Sequence, residues 1–339
     1  MLVLGIETTC DETAVAIVKD GKEIIVNLVA TQEVHEVYGG VVPELACRRH
    51  IDMLRPLVEK ALESIPLSKI DLIAVAHAPG LIGALLIGLN FAKTLSMSTN
   101  IPFVGVNHVE AHLYASMMEQ VPLPAIGIVL SGGHTELLLI ESIGKYQLIG
   151  KTRDDAIGEA FDKAAKMLGL PYPGGPQIEK LAREGKARFP FKSGRVKNDP
   201  FAFSFSGLKT ALLYHLKGQN GKKSSETTIS EEEKADVAAS FQEAAFHDVC
   251  EKAVRASQQF SARSMVLGGG VTANLRLREL LRENSGIPLF FPPPGLSLDN
   301  GAMIAGLGYH IFNKKGADNL DLLPQTRTSI YSDSISLSI

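Results

Sequence analysis

Cysteine is scarce in this 339-residue sequence: three occur, Cys10, Cys47 and Cys250, at no finger-like metal spacing. That pattern excludes a disulfide scaffold of the secreted kind and fits free thiols in a reducing compartment. An excess of charge of one sign is also missing. With 34 Lys+Arg against 37 Asp+Glu the formal net charge is −3, which excludes a globally basic nucleic-acid coat but allows a local basic patch. The most apolar stretch, Ile70 to Ala92, is interrupted by Asp71, His77, Pro79, Gly80 and Asn90. It reads as a buried strand, a turn and a helix rather than a membrane span. The start, MLVLGIETTCDE, has neither the basic residues nor the apolar core of a signal peptide. These absences point to a cytoplasmic protein with no membrane partner. Glycine, by contrast, is frequent at 31 residues, as tight turns and close backbone approaches demand. The 45% hydrophobic and 21% charged fractions are globular rather than disordered. The length suggests about two domains, with enough buried surface to fold without staples.

The chain repeats itself. Leu2–Ile6, Thr13–Val18 and Glu23–Ala30 read as three strands joined by the polar turn ETTCDE and by Asp20-Gly21. Ile126–Leu130, Thr135–Glu141 and Tyr146–Lys151 read the same way around SGGH and Gly144. After the first module the pattern predicts helix 43–64, strand 72–76, helix 81–97, strand 102–106 and helix 109–118. After the second it predicts helix 156–168, helix 231–260, strand 265–267, helix 272–283, strand 288–291 and helix 299–312. Alternating strands and helices imply crossover units and a largely parallel sheet with one meander edge. Two α/β lobes facing each other across a cleft are therefore expected, against the alternative of one large doubly wound sheet. The lobes are expected at 1–121 and 122–325. A less periodic insertion at about 171–230 ends in the polar, mobile-looking KGQNGKKSSETT, and a flexible tail covers 326–339.

Three turns fall at the C-terminal ends of strands, where open sheets bind ligands: ETTCDE, SGGH and GGGVTAN. Each offers small residues and backbone amides suited to a phosphate. A tight turn explains any one of them; three in equivalent places suggest a nucleotide between lobes. His108-Val-Glu-Ala-His112 is sharper, because residues four apart on a helix share a face and both imidazoles can reach one metal. Glu110 lies about 200° round from the first histidine, so this is not the zinc-protease arrangement, in which the glutamate directly follows that histidine. Asp299 is a third ligand in prospect, although by spacing alone it reads as the N-cap of the last helix. Lys180 to Lys197 carries seven basic residues and one acid, net +6, with Phe189 and Phe191 interleaved. That suits RNA phosphates and base stacking, or a solvated loop. Cys10 reads as structural. The adjacent Ser131 and His134 do not make a convincing hydrolase pair on one turn.

Taken together, GIETTCDETAVAIV, GGVVPELACRRH, APGLIGALLIGLNFAKTL, NHVEAHLYA, LSGGHTELLL, GEAFDKAAKMLGLPYPGGP, FSFSGLKTAL, GGGVTANLRLR and DNGAMIA resemble, in order from Leu2 to Leu323, the TsaD (YgjD) family of tRNA threonylcarbamoyltransferases. The resemblance implies the two-lobed fold of actin-like ATPases, sugar kinases and chaperone ATPases, with duplicated RNase H-like lobes. It implies transfer of threonylcarbamoyl from threonylcarbamoyl-AMP to the exocyclic amine of the adenosine 3′ of the anticodon, in tRNAs reading codons that begin with A. Carried over by motif, His108, His112 and Asp299 would hold one divalent metal, iron or zinc. Leu130, Ser131, Gly132, Gly133 and His134 would surround phosphate and acyl group. Asp162, Gly175 and Asn274 would bind the adenosine part of the adenylate, ATP or AMP, with Gly268 to Gly270 behind it. Glu179 stands where a shorter Asp is frequent and would still reach the ribose. Asp11 or Glu12 would take the amine proton. The implied partners are tRNA, a TsaB-like paralogue, a TsaE-like ATPase and a TsaC-like adenylate synthase, the heteromeric bacterial arrangement rather than an organellar homodimer. The competing expectations are a metal-dependent glycoprotease, against which the placement of Glu110 counts, and an ATPase or small-molecule kinase of the same fold.

Overall fold

The computed structural model describes residues 1–217 and 229–331. Within them the strands make two separate five-stranded sheets, so the single doubly wound sheet is ruled out. The first holds β1 (Leu2–Glu7), β2 (Glu12–Lys19), β3 (Glu23–Thr31), β4 (Leu72–Ala78) and β5 (Phe103–Asn107) in the order β3-β2-β1-β4-β5. The second holds β6 (Ala125–Leu130), β7 (Thr135–Ser142), β8 (Lys145–Lys151), β9 (Ser264–Gly268) and β10 (Leu289–Phe290) in the order β8-β7-β6-β9-β10. The two orders are the same once the strands are renumbered. In both, the first strand pairs antiparallel with the second and parallel with the fourth. The duplication read from the sequence is thus present strand for strand.

In the first unit, α1 (Pro43–Leu62) and α2 (Ile82–Thr99) cover one face of the sheet. Leu54 and Val58 of α1 and Leu89 of α2 meet Leu4, Ile6, Val15, Ile17 and Val75 in one buried cluster. α9 (Gly301–Lys315) packs on β1, β2 and β4. A Cβ on Gly5 would lie 2.3 Å from the Gly301 carbonyl oxygen, so glycine is what lets strand and helix touch. The second unit carries α4 (Ile157–Met167), α5 (Gly174–Ala182), α6 (Ser206–Lys217), α7 (Glu231–Gln259) and α8 (Leu275–Asn284). α5 and α6 fall inside the segment read as an irregular insertion; each is too short for its periodicity to stand out.

Two boundaries differ from expectation. The helix placed at Thr272 begins at Leu275, after a 3-10 turn over Gly270–Ala273. The second lobe was expected to run to 325, yet from Phe291 the chain rejoins the first unit, as do Ser142–Tyr146. α9 has its apolar partners on β1 and β2, and a helix goes where its buried face is matched, whatever its place in the sequence. Most of KGQNGKKSSETT and the last part of the tail lie outside the described residues. No described helix is long and apolar enough to cross a membrane.

Candidate metal centre and strand-end loops

β5 ends at Asn107, whose side-chain oxygen accepts the amides of Val109 (2.9 Å) and Glu110 (3.1 Å) and starts α3 (His108–Ala115). That cap sets the helical register, and with it the shared face of His108 and His112. Their rings lie 4.5 Å apart, edge to face. Asp299 comes from the far end of the chain. Its Oδ1 is 3.0 Å from His112 Nε2 and 3.5 Å from His108 Nε2. One ligand atom from each of the three residues lies within 4.8 Å of the others.

The expectation that Asp299 caps the last helix is corrected. Asn300 is the cap: its Oδ1 accepts the Met303 amide at 2.9 Å, and its Nδ2 donates to the carbonyls of Leu296 and Leu298. Asp299 is thereby released to face the histidines.

His112 is buried, yet both its ring nitrogens lack a hydrogen bond. Its 3.0 Å approach to Asp299 has ion-pair distance without hydrogen-bond geometry. An imidazole so placed carries a desolvation cost that a bound cation removes. His108 is oriented from behind, with Nδ1 2.9 Å from Glu7 Oε2. Glu7 also accepts the Thr9 amide through Oε1 at 2.5 Å. A carboxylate fixing the far nitrogen of a ligating histidine is a recurrent support of metal sites. Burial pushes the His108 pKa down, but the carboxylates of Asp299 and Glu7 outweigh it and raise the value to about 9. The same negative field favours a metal ion. Glu12 is driven well above the usual carboxylate range by burial and by Asp299, Asp11 and Glu7. Burial and the same carboxylates push the Cys10 thiol up, so it is not a thiolate nucleophile. Two imidazoles and a carboxylate suit iron(II) or zinc, and the donor set fits such an ion.

Glu110 faces elsewhere, accepting the Tyr146 hydroxyl at 2.9 Å. Sequence reasoning passed over Glu7, Thr9 and His50. His50 is fully buried; its Nε2 is 3.0 Å from the Cys10 carbonyl and its Nδ1 2.8 Å from the Thr13 hydroxyl, which steadies the ETTCDE turn. The signal for Glu7 was available: a carboxylate ending the apolar strand LVLGIE must be paired once buried.

In the second unit the loop after Leu130 closes on itself. Ser131 N–H donates to the His134 carbonyl (2.9 Å), and the His134 amide donates to Ser131 Oγ (3.1 Å). A Cβ on Gly132 or Gly133 would meet nothing within 4 Å, and neither residue has positive φ. Neither packing nor backbone conformation calls for glycine there, so what the residues provide is open space beside their amides. Gly175 is open in the same sense. Gly269 differs: φ is +92°, and a Cβ would lie 2.5 Å from the Leu130 carbonyl.

The other three polar positions are built into the scaffold. Asp162 Oδ1 accepts the Gly174 amide at 2.7 Å, at the start of α5. Glu179 Oε1 accepts the Leu275 amide (3.1 Å) and an Arg183 N–H (2.9 Å). Asn274 caps α8 through Arg276 and Leu277 and donates to Gln242 at 2.8 Å. These bonds tie α4 to α5, α5 to α8 and α8 to α7.

Against solved structures the fold is similar to full-length HypF in a phosphate- and nucleotide-bound form, at 14% identity and TM-score 0.60 over 94% of this chain; the chain spans about half of HypF, 47% of its length. It is similar also to component A of the (R)-2-hydroxyglutaryl-CoA dehydratase of Acidaminococcus fermentans, at 15% identity and TM-score 0.52 over 93% of this chain and 98% of that one. The duplicated sheets and these likenesses define the class by fold: two α/β units with the same order of mixed strands. The sequence profile described as TsaD, tRNA N6-adenosine threonylcarbamoyltransferase, matches residues 23–306. Proteins of that name from Protochlamydia amoebophila (strain UWE25) and Chlamydia felis (strain Fe/C-56) are 57% and 48% identical, over 98% and 99% of this chain and 99% of each relative. The chain belongs to the TsaD family.

Proposed function

We propose that this chain transfers a threonylcarbamoyl group from threonylcarbamoyl-AMP to N6 of the adenosine 3′ of the anticodon, in tRNAs that read codons beginning with A. The observation that carries it is the buried, hydrogen-bond-free His112 beside His108 and Asp299 in a chain matched along its length by that family. An exocyclic adenine amine is a poor nucleophile, its lone pair delocalised into the ring. The acyl group must therefore arrive as a mixed anhydride and be held in line, with charge stabilised on the departing phosphate. His108, His112 and Asp299 would hold the metal, iron or zinc, which supplies positive charge to an oxygen of the reacting group. The amides of Gly132 and Gly133, unused within their own loop, would donate to phosphate or acyl oxygens. Leu130, Ser131 and His134 shape that loop. Asp162, Gly175, Glu179 and Asn274 form the adenosine side, and the helix-locking bonds of Asp162, Glu179 and Asn274 fix its shape.

Asp11 or Glu12 takes the amine proton. The upward push keeps Glu12 protonated at neutral pH, so Asp11 is the carboxylate to test first. Asp11→Asn should then lose transfer while donor binding persists; full transfer would remove Asp11 from that role. A glycoprotease would need a base at the metal, and Glu110 is instead bonded to Tyr146. The reading includes a TsaB-like paralogue, a TsaE-like ATPase and a TsaC-like donor synthase. In support of the first, α1 and α2 expose Ile51, Ile82 and Leu86. The test is incubation with threonine, bicarbonate, ATP, unmodified tRNA and the pathway proteins, followed by nucleoside mass spectrometry. Threonylcarbamoyladenosine is expected; its absence together with peptide cleavage would favour the protease.

A further inference from the structure

The basic stretch after α5 is an ordered strap on α7. Lys186 N–H donates to Asp236 Oδ1 at 2.6 Å, Phe189 N–H to Ser240 Oγ at 3.0 Å, and Ser193 Oγ to the Ala244 carbonyl at 3.3 Å. The three acceptor positions, 236, 240 and 244, are spaced by four, which is one face of a helix over about 12 Å. Gly185 is needed at the entrance, where a Cβ would lie 2.1 Å from the Ala235 carbonyl oxygen. At the exit, Gly194 N–H donates to the Ser204 carbonyl at 3.0 Å.

This anchoring sorts the charges. Arg183 pairs with Glu179, and Arg188 with Glu232 and the buried Asp236. Lys192, Arg195 and Lys197 are exposed and form no ion pair among the described residues. The two phenylalanines expected to stack on bases make ring contacts inside the fold. Phe189 packs 4.2 Å from the His215 ring, and Phe191 closes the same group at 5.8 Å. Both rings are half-buried, whereas the three unpaired cations are exposed, which fits contact with a phosphate backbone.

We propose that the strap's exit end, carrying Lys192, Arg195 and Lys197, is a docking surface for the sugar-phosphate backbone of tRNA, contributing affinity that is independent of tRNA sequence. This rests on tRNA being the substrate. Preorganisation matters here: cations on a pinned strap lose less chain entropy on binding than cations on a free loop.

The test uses the full chain with unmodified tRNA. The triple variant Lys192→Gln/Arg195→Gln/Lys197→Gln should bind tRNA about tenfold more weakly at ~100 mM KCl and flatten the plot of log K against log salt by about two units. Its KM for tRNA in the reconstituted reaction should rise in parallel, by a similar factor for tRNAs of different anticodon-loop sequence. Lys22→Gln/Lys69→Gln, which removes two exposed cations elsewhere, should leave the slope unchanged. An unaltered slope in the triple variant, or an equal change in the control, overturns the docking surface. Either result leaves the proposed activity standing if wild type still forms threonylcarbamoyladenosine. Wild type that forms none overturns the activity itself.

Discussion

Asp299 and Asn300 are neighbours with opposite duties. Asn300 is fully buried and satisfies the start of α9 and two preceding carbonyls. Asn300→Ala should lower metal-free stability by about 1–3 kcal/mol, read by urea unfolding. Asp299→Asn should leave that stability within error and abolish metal retention, read by elemental analysis after dialysis. If Asp299→Asn retains full metal, the three-residue centre is wrong. His50 gives a pH effect with a definite sign. Burial lowers its pKa from the ordinary 6.5, so the folded state holds it neutral. Below 6.5 the unfolded chain takes up a proton that the folded one refuses. This contribution is complete above pH 6.5 and is lost as pH falls towards the folded value. Thermal scans between pH 7.5 and 5.5 should show a smaller fall in Tm for His50→Gln than for wild type. The two histidines were legible as a pair from their i, i+4 spacing. Asp299's role was not, because two adjacent polar residues before a helix are both acceptable caps and only the backbone angles choose between them.

At the scale of elements, short polar contacts decide where helices start. Asp154 accepts the hydroxyls of Ser204 (2.6 Å) and Ser206 (2.7 Å) and the amides of Phe205 (2.8 Å) and Ser206 (3.2 Å), fixing FSFSG at the head of α6. Burial works against the Asp154 charge, but these bonds outweigh it and hold the carboxyl below its usual range. Its stabilisation is therefore present at neutral pH and lost as pH falls through that lowered value. Asp154→Ala should cost about 2 kcal/mol and raise amide exchange along α6 more than along α7; uniform exchange would show that the cap does not govern the helix. The sequence reading found long or strongly periodic elements and missed α5 and α6. Their starts depend on Asp162 and Asp154, which act across gaps in sequence, so nothing local announces them.

For the whole molecule, the return of the chain to the first unit is the decisive feature. After α9 the strap from Gly316 onward covers the β5 edge. Asp318 N–H donates to the Phe103 carbonyl (2.9 Å), and Asp318 Oδ2 accepts the Gly105 amide (2.8 Å). Leu322 adds apolar contact to the core cluster, and the Gln325 amide reaches the His77 carbonyl at 2.9 Å. Ending the chain after Lys315 should lower Tm and promote self-association by exposing a strand edge. Size-exclusion chromatography checks this, and a monodisperse truncated protein with unchanged Tm would refute it.

Sequence alone determined the duplication, the class of fold, the histidine pair and the family resemblance, because strand alternation, helical spacing and motif order are properties of short segments. Only the tertiary structure decided that Asp299 rather than Asn300 faces the histidines, that Glu7 backs His108, and that the basic segment is pinned along α7. Each of those needs distant segments brought together by burial, and no local period encodes which buried face a returning chain will match.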